Sequence, residues 1–403
     1  MSDEELREVV LDDIAPKGDA TGPLDDSTAY VARALPGERV RVKIRKRKHN
    51  WIATDLVEVL EPSPHRVEPV CPLFGTCAGC QLQHVDYAHQ LTLKRQMVRA
   101  QLRRFGDFDD PPVHEVIGAP DPWHYRNHAR FTVVDGQIGF VRRFRRKFLR
   151  VDECPIMDAR INEVLATMQD KLPKASQLNI RVGAKPDAIM IQPKLEDAPG
   201  GYETGQKHLT ETLMGRDFRV AAPSFFQVHR AQAARLVELV GNAVTSVSDN
   251  PTVVDAYAGV GTFAALLADR VGKMIAIEES GPAVKDAELN VAGLDNVQLV
   301  LGRTEELLGT FDFPIDAVIL DPPRSGCLPG AIEALAKLRP KVIAYVSCDA
   351  ASLGRDLRAL VEAGYVVEAI QPVDMFPHTF HVESVTTLRL GDSERRSLGP
   401  GSS

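Results

Sequence analysis

Between Thr252 and Ser347 the chain repeats one pattern five times: a short apolar run, then a polar or turn-rich stretch. The runs are Thr252–Asp255, Met274–Glu278, Val297–Leu301, Ala317–Asp321 and Val342–Ser347, and a helical pattern over Arg230–Ser246 precedes them. Strands that alternate with helices must run parallel, because each crossover returns the chain to the same edge. The expected fold class is therefore α/β, with a doubly wound sheet from about residue 221. Ligands of such sheets sit beyond the carboxyl ends of the strands. Function is sought in the residues that follow each run.

The first run leads into Asp255-Ala256-Tyr257-Ala258-Gly259-Val260-Gly261-Thr262-Phe263. Glycines at such a βα turn let a ligand approach the backbone. A dinucleotide fingerprint asks for a third glycine, and Ala264 stands there, which that fingerprint also tolerates. Glu278, at the end of the next run, suits a ribose diol. Adenosine-cofactor binding is thus expected. Asp321-Pro322-Pro323-Arg324 tips the choice to S-adenosylmethionine, since two prolines fix the backbone where the strand leaves the sheet. Cys348, in Tyr345-Val346-Ser347-Cys348-Asp349, ends the fifth run and reads as a nucleophile. A helix starting near Ala351 is expected to lower its thiol pKa. Cys327 lacks a strand to position it and reads as structural. In His378-Thr379-Phe380-His381-Val382-Glu383, residues alternate faces of a strand, which puts Glu383 near the same rim as a general base.

The first 220 residues read differently. Residues 1–62 show short strands broken by Gly18, Gly22 and Pro36-Gly37, the rhythm of a small β-barrel. Residues 63–220 mix strands with helices near Tyr87–Phe105 and Ala159–Asp170. They carry Cys71-x5-Cys77-x2-Cys80 and, far downstream, Cys154. Four thiols in a chain with only six cysteines point to a metal site in a reducing compartment rather than to a disulfide scaffold. Zinc and iron–sulfur both fit thiolates, though zinc sites with four cysteines usually pair two short knuckles. Residues 221–392 form the α/β domain, and 393–403 read as a disordered tail.

The formal net charge is −7, yet two stretches are dense in cations: Arg41 to Lys48 and Arg142 to Arg150. Local patches rather than totals attract phosphate. RNA contact is the expected reading; Phe144 and Phe148 nearby either stack on splayed bases or pack under a hairpin, and the sequence leaves both open. No apolar run reaches membrane-spanning length, and the acidic N-terminus reads against a secretory signal. A cytoplasmic monomer without membrane contact is expected.

A thiol nucleophile, a carboxylate base and a methyl donor fit one reaction. Thiolate addition to C6 of uracil makes C5 nucleophilic enough to take a methyl group, and a base then removes the C5 proton. The motifs together resemble the RNA (uracil-5-)-methyltransferase family, the tRNA and 23S rRNA m5U enzymes, over about residues 8–390. The residues that carry the resemblance are the Cys71–His84 cluster, Tyr125-Arg126-Asn127, Cys154-Pro155, Phe225-Phe226-Gln227, Asp255–Thr262, Asp321–Gly326, Tyr345–Cys348 and His381-Val382-Glu383. The resemblance implies a Rossmann-like S-adenosylmethionine-dependent methyltransferase domain, an OB-like TRAM barrel at the N-terminus, and a central α+β domain holding a [4Fe-4S] cluster on Cys71, Cys77, Cys80 and Cys154. It implies Cys348 as nucleophile, Glu383 as proton acceptor, and Gln227, Tyr257, Glu278 and Asp321 as cofactor contacts, beside the loop's Gly259 and Thr262. The family usually continues Ser-Cys with Asn-Pro; here Asp349-Ala350 follows, an acid expected to raise the thiol pKa. The TRAM-like domain and iron–sulfur site tilt the substrate towards 23S rRNA over tRNA. Two other readings are an RNA-binding protein with an inactive methyltransferase domain, which the intact Gln227, Asp321, Cys348 and Glu383 oppose, and an NAD-dependent iron–sulfur oxidoreductase.

Overall fold

The computed structural model describes residues 6–144, 147–172 and 174–391. Arg145 and Arg146 of the second basic stretch and the tail expected at 393–403 lie outside them.

Strands β1 (Leu6–Val10), β2 (Asp13–Ile14), β3 (Ala20–Leu24), β4 (Ser27–Val31), β5 (Arg39–Arg47) and β6 (Trp51–Glu61) make one sheet, ordered β1-β5-β6-β4-β3-β2. Its two edges are consecutive pieces of chain. Val10 ends β1, and the Asp12 N–H donates to the Thr21 carbonyl at 2.9 Å, so the sheet curls round to meet itself. A side chain at Gly22 would lie 2.1 Å from the Val10 carbonyl oxygen, so only glycine permits that approach. Alternate residues Val9, Ala29, Val31, Val40, Val42 and Ile52 fill the interior.

Asp86 caps helix α1 (Tyr87–Gly106), its side chain accepting from the His89 N–H. One buried stripe of α1 serves two cores. Leu93 and Met97 pack with Ile14, Leu35, Leu82 and Val85, whereas Val98 and Leu102 join the apolar layer beneath the large sheet. Strands β7 (His128–Val134), β8 (Gln137–Val141) and β9 (Phe148–Arg150), helix α2 (Ala159–Met168), and strands β10 (Gln177–Val182) and β11 (Ile189–Gln192) follow. The five strands form an antiparallel sheet, β11-β10-β7-β8-β9, and Ile161, Val164, Leu165 and Met168 of α2 pack on it. Strands β12 (His208–Leu213) and β13 (Arg216–Ala221) make a hairpin.

The remainder is helix α3 (Arg230–Thr245), β14 (Thr252–Asp255), α4 (Thr262–Leu267), β15 (Lys273–Glu278), α5 (Gly281–Asn290), β16 (Val297–Leu301), α6 (Thr304–Leu307), β17 (Ala317–Leu320), α7 (Pro329–Leu338), β18 (Val342–Ser347), α8 (Ala350–Glu362), β19 (Tyr365–Val373) and β20 (Glu383–Leu390). The sheet order is β16-β15-β14-β17-β18-β20-β19. Strands β14 to β18 pair in parallel, as the alternation predicts, and β20 runs antiparallel between β18 and β19. That insertion departs from the six-parallel-strand order of dinucleotide-binding sheets. Among the described residues no helix is long and apolar enough to cross a membrane.

Candidate active site

Because β14, β15, β17 and β18 are parallel, their carboxyl ends share one rim. Asp255, Glu278, Asp321 and Cys348 stand on it. The antiparallel β20 enters at the same rim. Ser347 pairs with Ser384 as the last rung of the β18–β20 ladder, so Cys348 leaves β18 beside the start of β20, close enough for Glu383 to act on its thiol. The Glu383 carboxyl is buried, and burial first, then the nearby Asp321, pushes its pKa to about 8; Arg324 opposes the rise. Desolvation and then Glu383 push the half-buried Cys348 thiol up to about 12, with Arg324 the one group that lowers it and Asp321 and Asp349 adding to the rise. The expectation that the helix start would depress this thiol is corrected: burial and carboxylates outweigh it, and near neutral pH the group is protonated. Asp349 is the N-cap of α8, its carboxylate accepting from Ala351 N–H at 3.1 Å and Ser352 N–H at 2.8 Å. An acid in that position serves the helix as an asparagine would.

The cofactor side holds acceptors that protein donors satisfy poorly. Neither carboxylate oxygen of Asp255 has a partner in good hydrogen-bond geometry, nor does Oε1 of Gln227. Burial, then Asp321 and Glu278, raise the Asp255 pKa to about 8, while the nearby backbone N–H groups of Tyr257 and Ala264 oppose the rise; burial alone raises Asp321 to about 7. Buried orphan acceptors cost free energy, and a ligand bearing N–H groups or positive charge would remove that cost. Glu278 accepts from the Gly259 N–H at 2.8 Å and the Ser280 N–H at 2.7 Å, which fixes the glycine loop over the end of β15. Gly259, at φ +56°, faces open space, whereas Gly261, the α4 cap, packs against Ala287 and Val291. The two glycines therefore do different jobs, one giving room and the other close helix packing. Thr262 is the first residue of α4. The Tyr257 side chain lies against Cys327, whose thiol approaches the Tyr345 hydroxyl at 3.8 Å and whose N–H donates to Asp356. Cys327 is thus packed behind the loop rather than presented on the rim.

Helix α5 holds the Gln227 segment to this loop. Its buried Asp286 accepts from Arg219 at 2.7 Å, from the Ala221 N–H at 2.7 Å and from the Ser224 hydroxyl at 2.8 Å. Its Asn290 accepts from the Arg219 N–H at 2.7 Å and donates to the Val260 carbonyl at 2.9 Å. From the other side Asn127 donates to the carbonyl of Gln227, and the Tyr125 hydroxyl to that of Pro377. Asp255, Asp286 and Arg324 were passed over or left open by sequence reading; the first two sit in ordinary apolar-run contexts whose burial no pattern reveals.

The cysteine segment meets the rim through the loop that leads into β20. Gln81 and Leu82 N–H groups both donate to the His378 carbonyl, at 3.0 and 2.9 Å. Gln90 donates to the His378 ring at 3.1 Å. Fully buried Lys94 pairs with Asp374 at 2.6 Å and bonds the Phe376 carbonyl, and the Tyr87 hydroxyl reaches Asp374 at 2.9 Å. Cys71, Cys77, Cys80 and Cys154 carry free thiols. Burial, then Cys154, Cys77 and Cys71 push Cys80 to about 12, and burial, then Cys71 and Cys77, do the same to Cys154. The Gly79 N–H donates to the Cys77 sulfur at 3.3 Å. As placed, no three His, Cys, Asp or Glu side chains among the described residues converge to hold a metal ion.

Neither basic stretch is a bare cationic patch. Arg41 pairs with Glu58 and Glu8, Arg47 with Asp25, Arg143 with Asp19 and Arg150 with Asp152 and Asp170.

A parallel sheet with an antiparallel insertion, a glycine loop fixed by an acid and a thiol facing a buried carboxyl define an α/β transferase-type site. The profile of the tRNA (uracil-5-)-methyltransferase family matches residues 205–390. Over 96% of this chain and 97% of its own length, an uncharacterized RNA methyltransferase of Nostoc sp. is 32% identical; one of Clostridium acetobutylicum is 31% identical over 96% and 97%. The crystal structure of Pyrococcus abyssi tRNA (uracil-54, C5)-methyltransferase with S-adenosyl-L-homocysteine superposes with a TM-score of 0.74 at 25% identity, covering 95% of this chain and all of that one. The chain belongs to the RNA (uracil-5-)-methyltransferase family.

Proposed function

We propose that this enzyme methylates C5 of a uridine in structured RNA through a covalent adduct between Cys348 and uracil C6. The nearness of Glu383 to the Cys348 thiol, beyond the last rung between β18 and β20, carries the reading. S-adenosylmethionine, when bound, supplies a sulfonium methyl. Its fit rests on the orphan oxygens of Asp255 and Gln227 and the open space at Gly259. Gln227, Tyr257, Gly259, Thr262, Glu278 and Asp321 would hold it. The Cys348 thiol gives its proton to solvent as its sulfur bonds to C6 and the C5=C6 π pair moves to C5; that pair would take the methyl group, the S–CH3 bond pair staying with the donor sulfur. Glu383 takes the C5 proton, C5=C6 re-forms, and the thiolate departs. Arg324, the one cation that eases ionisation of both Cys348 and Glu383, stabilises the charge that this sequence creates.

The N-terminal closed sheet is read as a TRAM-like RNA-binding module. The four cysteines are read as ligands of a [4Fe-4S] cluster from their thiol-only donor set and the Gly79 N–H to sulfur bond, of the kind that surrounds cluster thiolates; as placed the thiols do not converge on one point, so they would have to close in to hold it. Methyl transfer needs no electron, so the cluster's place is structural. Protein purified without oxygen should be brown and contain iron and sulfide; stoichiometric zinc without iron would refute the assignment. The TRAM-like module and the four-cysteine site favour 23S rRNA as substrate, and the tRNA family profile and tRNA-enzyme superposition favour tRNA. Mapping m5U in both RNAs from cells lacking the gene decides between them.

Cys348→Ala should abolish methyl transfer and any adduct with 5-fluorouridine RNA, while Glu383→Gln should accumulate an RNA adduct that wild type releases. Unchanged turnover in Cys348→Ala would end the proposal. Catalytically silent wild-type protein that still binds RNA would favour the binding-protein reading.

A further inference from the structure

The outer face of the N-terminal sheet carries a cavity of about 320 Å³ whose wall is completed by the central sheet. Thr28 pairs with Trp51 and Tyr30 with Ala53, so Tyr30 and Trp51 project from the same outward face of adjacent strands, while Ala29 and Ile52 between them point into the barrel interior. Arg45 falls at a register shift between Ile44 and Lys46 of β5. A bulge there re-aims its side chain, and the guanidinium sits 4.6 Å from the centre of the Phe144 ring. Phe144 comes from the loop after β8. Its neighbour Arg143 crosses to Asp19 at 2.6 Å and also lies over the same ring at 5.2 Å. Three aromatic rings in one shallow cavity remain open to solvent: Tyr30 at 38%, Trp51 at 39% and Phe144 at 52%. Rings not spent on a core, with two arginines over the Phe144 ring, form the kind of surface that single-stranded nucleic acid stacks on.

We propose that this cavity is a second RNA site, away from the catalytic rim, which takes one unpaired nucleotide of the substrate, its base stacked between Trp51 and Phe144 and its phosphate beside Arg45. It rests on RNA being the substrate. The volume lies at the lower end of ligand-sized cavities, enough for one base rather than several. Because Phe144 and Arg143 come from the loop after β8 and Tyr30, Arg45 and Trp51 from the N-terminal sheet, an occupant would also join the two.

A short unstructured oligoribonucleotide carrying 5-bromouridine, and a duplex of the same composition, test this directly. Irradiation should crosslink the single strand to peptides containing Trp51 or Phe144. Trp51→Ala and Phe144→Ala should each weaken single-strand binding about tenfold, in the range expected for loss of one base–aromatic stack, and leave duplex binding within twofold. Trp51→Phe, which keeps an aromatic face, should retain most of the affinity; this separates lost stacking from misfolding. Crosslinks that map elsewhere, single-strand affinity within twofold of wild type in both alanine variants, or no single-strand binding by wild type would each overturn it. Normal methyl transfer without the crosslink removes this site and leaves the catalytic reading. The crosslink without any methyl transfer does the reverse.

Discussion

At Cys348, burial and three carboxylates push the thiol towards its protonated form, and Arg324 alone pushes back. The same arginine opposes the rise at Glu383, where burial and Asp321 hold the carboxyl near 8. A base must be ionised to accept a proton. Glu383 and the Cys348 thiol must both ionise, so the rate of methyl transfer should climb more steeply than tenfold per pH unit below about pH 8 and keep rising, about tenfold per unit, above it, where only the thiol remains protonated. Removing the positive charge leaves both acids harder to ionise. In Arg324→Gln the rising arm should move to higher pH and the rate at neutral pH should fall at least tenfold, read as kcat against pH. A profile unchanged in shape would show that Arg324 does not face the reacting groups. Arg324 follows two prolines in the sequence and reads there as either a turn residue or a functional one. The choice requires the antiparallel entry of β20, which brings Glu383 under its charge.

The link between the cysteine segment and the catalytic base is a property of α1 and the loop 374–382, not of any motif. Lys94 and Asp374 are both fully buried and 280 residues apart in sequence. Lys94→Met should leave Asp374 buried with only the Tyr87 hydroxyl and the Phe376 N–H, at a cost of about 3–5 kcal/mol. We expect the thermal transition to fall by roughly 10 °C, and the rate to fall with it because the loop delivering Glu383 loses its anchor. Lys94→Met with Asp374→Leu should recover part of the stability, since replacing both charges removes the unpaired carboxylate; an equal loss in the double variant would contradict the pair's role. The elements themselves were largely legible. The helices near Tyr87–Phe105, Ala159–Asp170 and Arg230–Ser246 lie within a few residues of α1, α2 and α3, because apolar spacing repeats along each. The five parallel strands appear where their apolar runs stand. Strands β2 and β3 were not legible, being short and broken by Gly18, Gly22 and Pro23. The place of β20 was not legible either, because strand order depends on pairing between distant segments and leaves no local trace. The same limit hid α5 as the anchor of Gln227: Asp286 and Asn290 are unremarkable in a helical pattern until their partners on β13 are known.

Across the whole molecule, burial of ionisable groups should set the pH at which the protein is most stable. His84, His229, His378 and His381 have pKa values lowered to about 4 and His128 to about 3, each primarily by burial. Between pH 4 and about 6.5 the unfolded chain binds protons at these five rings that the native state does not, so their contribution to stability rises with pH and is complete above the unfolded value. Asp255 and Glu383 near 8 and Asp321 near 7 act in the opposite sense. Their native forms hold protons that the unfolded chain has already lost, so the stability they contribute is full below about pH 4 and disappears as pH rises through 7 to 8. The histidines outnumber the carboxyls below pH 6.5, and only the carboxyls titrate above it. The ligand-free protein should therefore show its highest melting temperature near pH 6.5 and lose stability by pH 8.5, on the order of 4–5 kcal/mol if the three shifts act in full, a fall of roughly 10 °C. S-adenosylmethionine, which carries a sulfonium charge, should raise the melting temperature more at pH 8.5 than at 6.5, because it favours the ionised carboxylates; S-adenosylhomocysteine, without that charge, should show a smaller pH dependence. Asp255→Asn should flatten the fall above pH 6.5. A melting temperature that is level or rising from pH 6.5 to 8.5 in the ligand-free protein would mean that these carboxyls are ionised in the native rim, and that the orphan oxygens of Asp255 are already satisfied without a ligand.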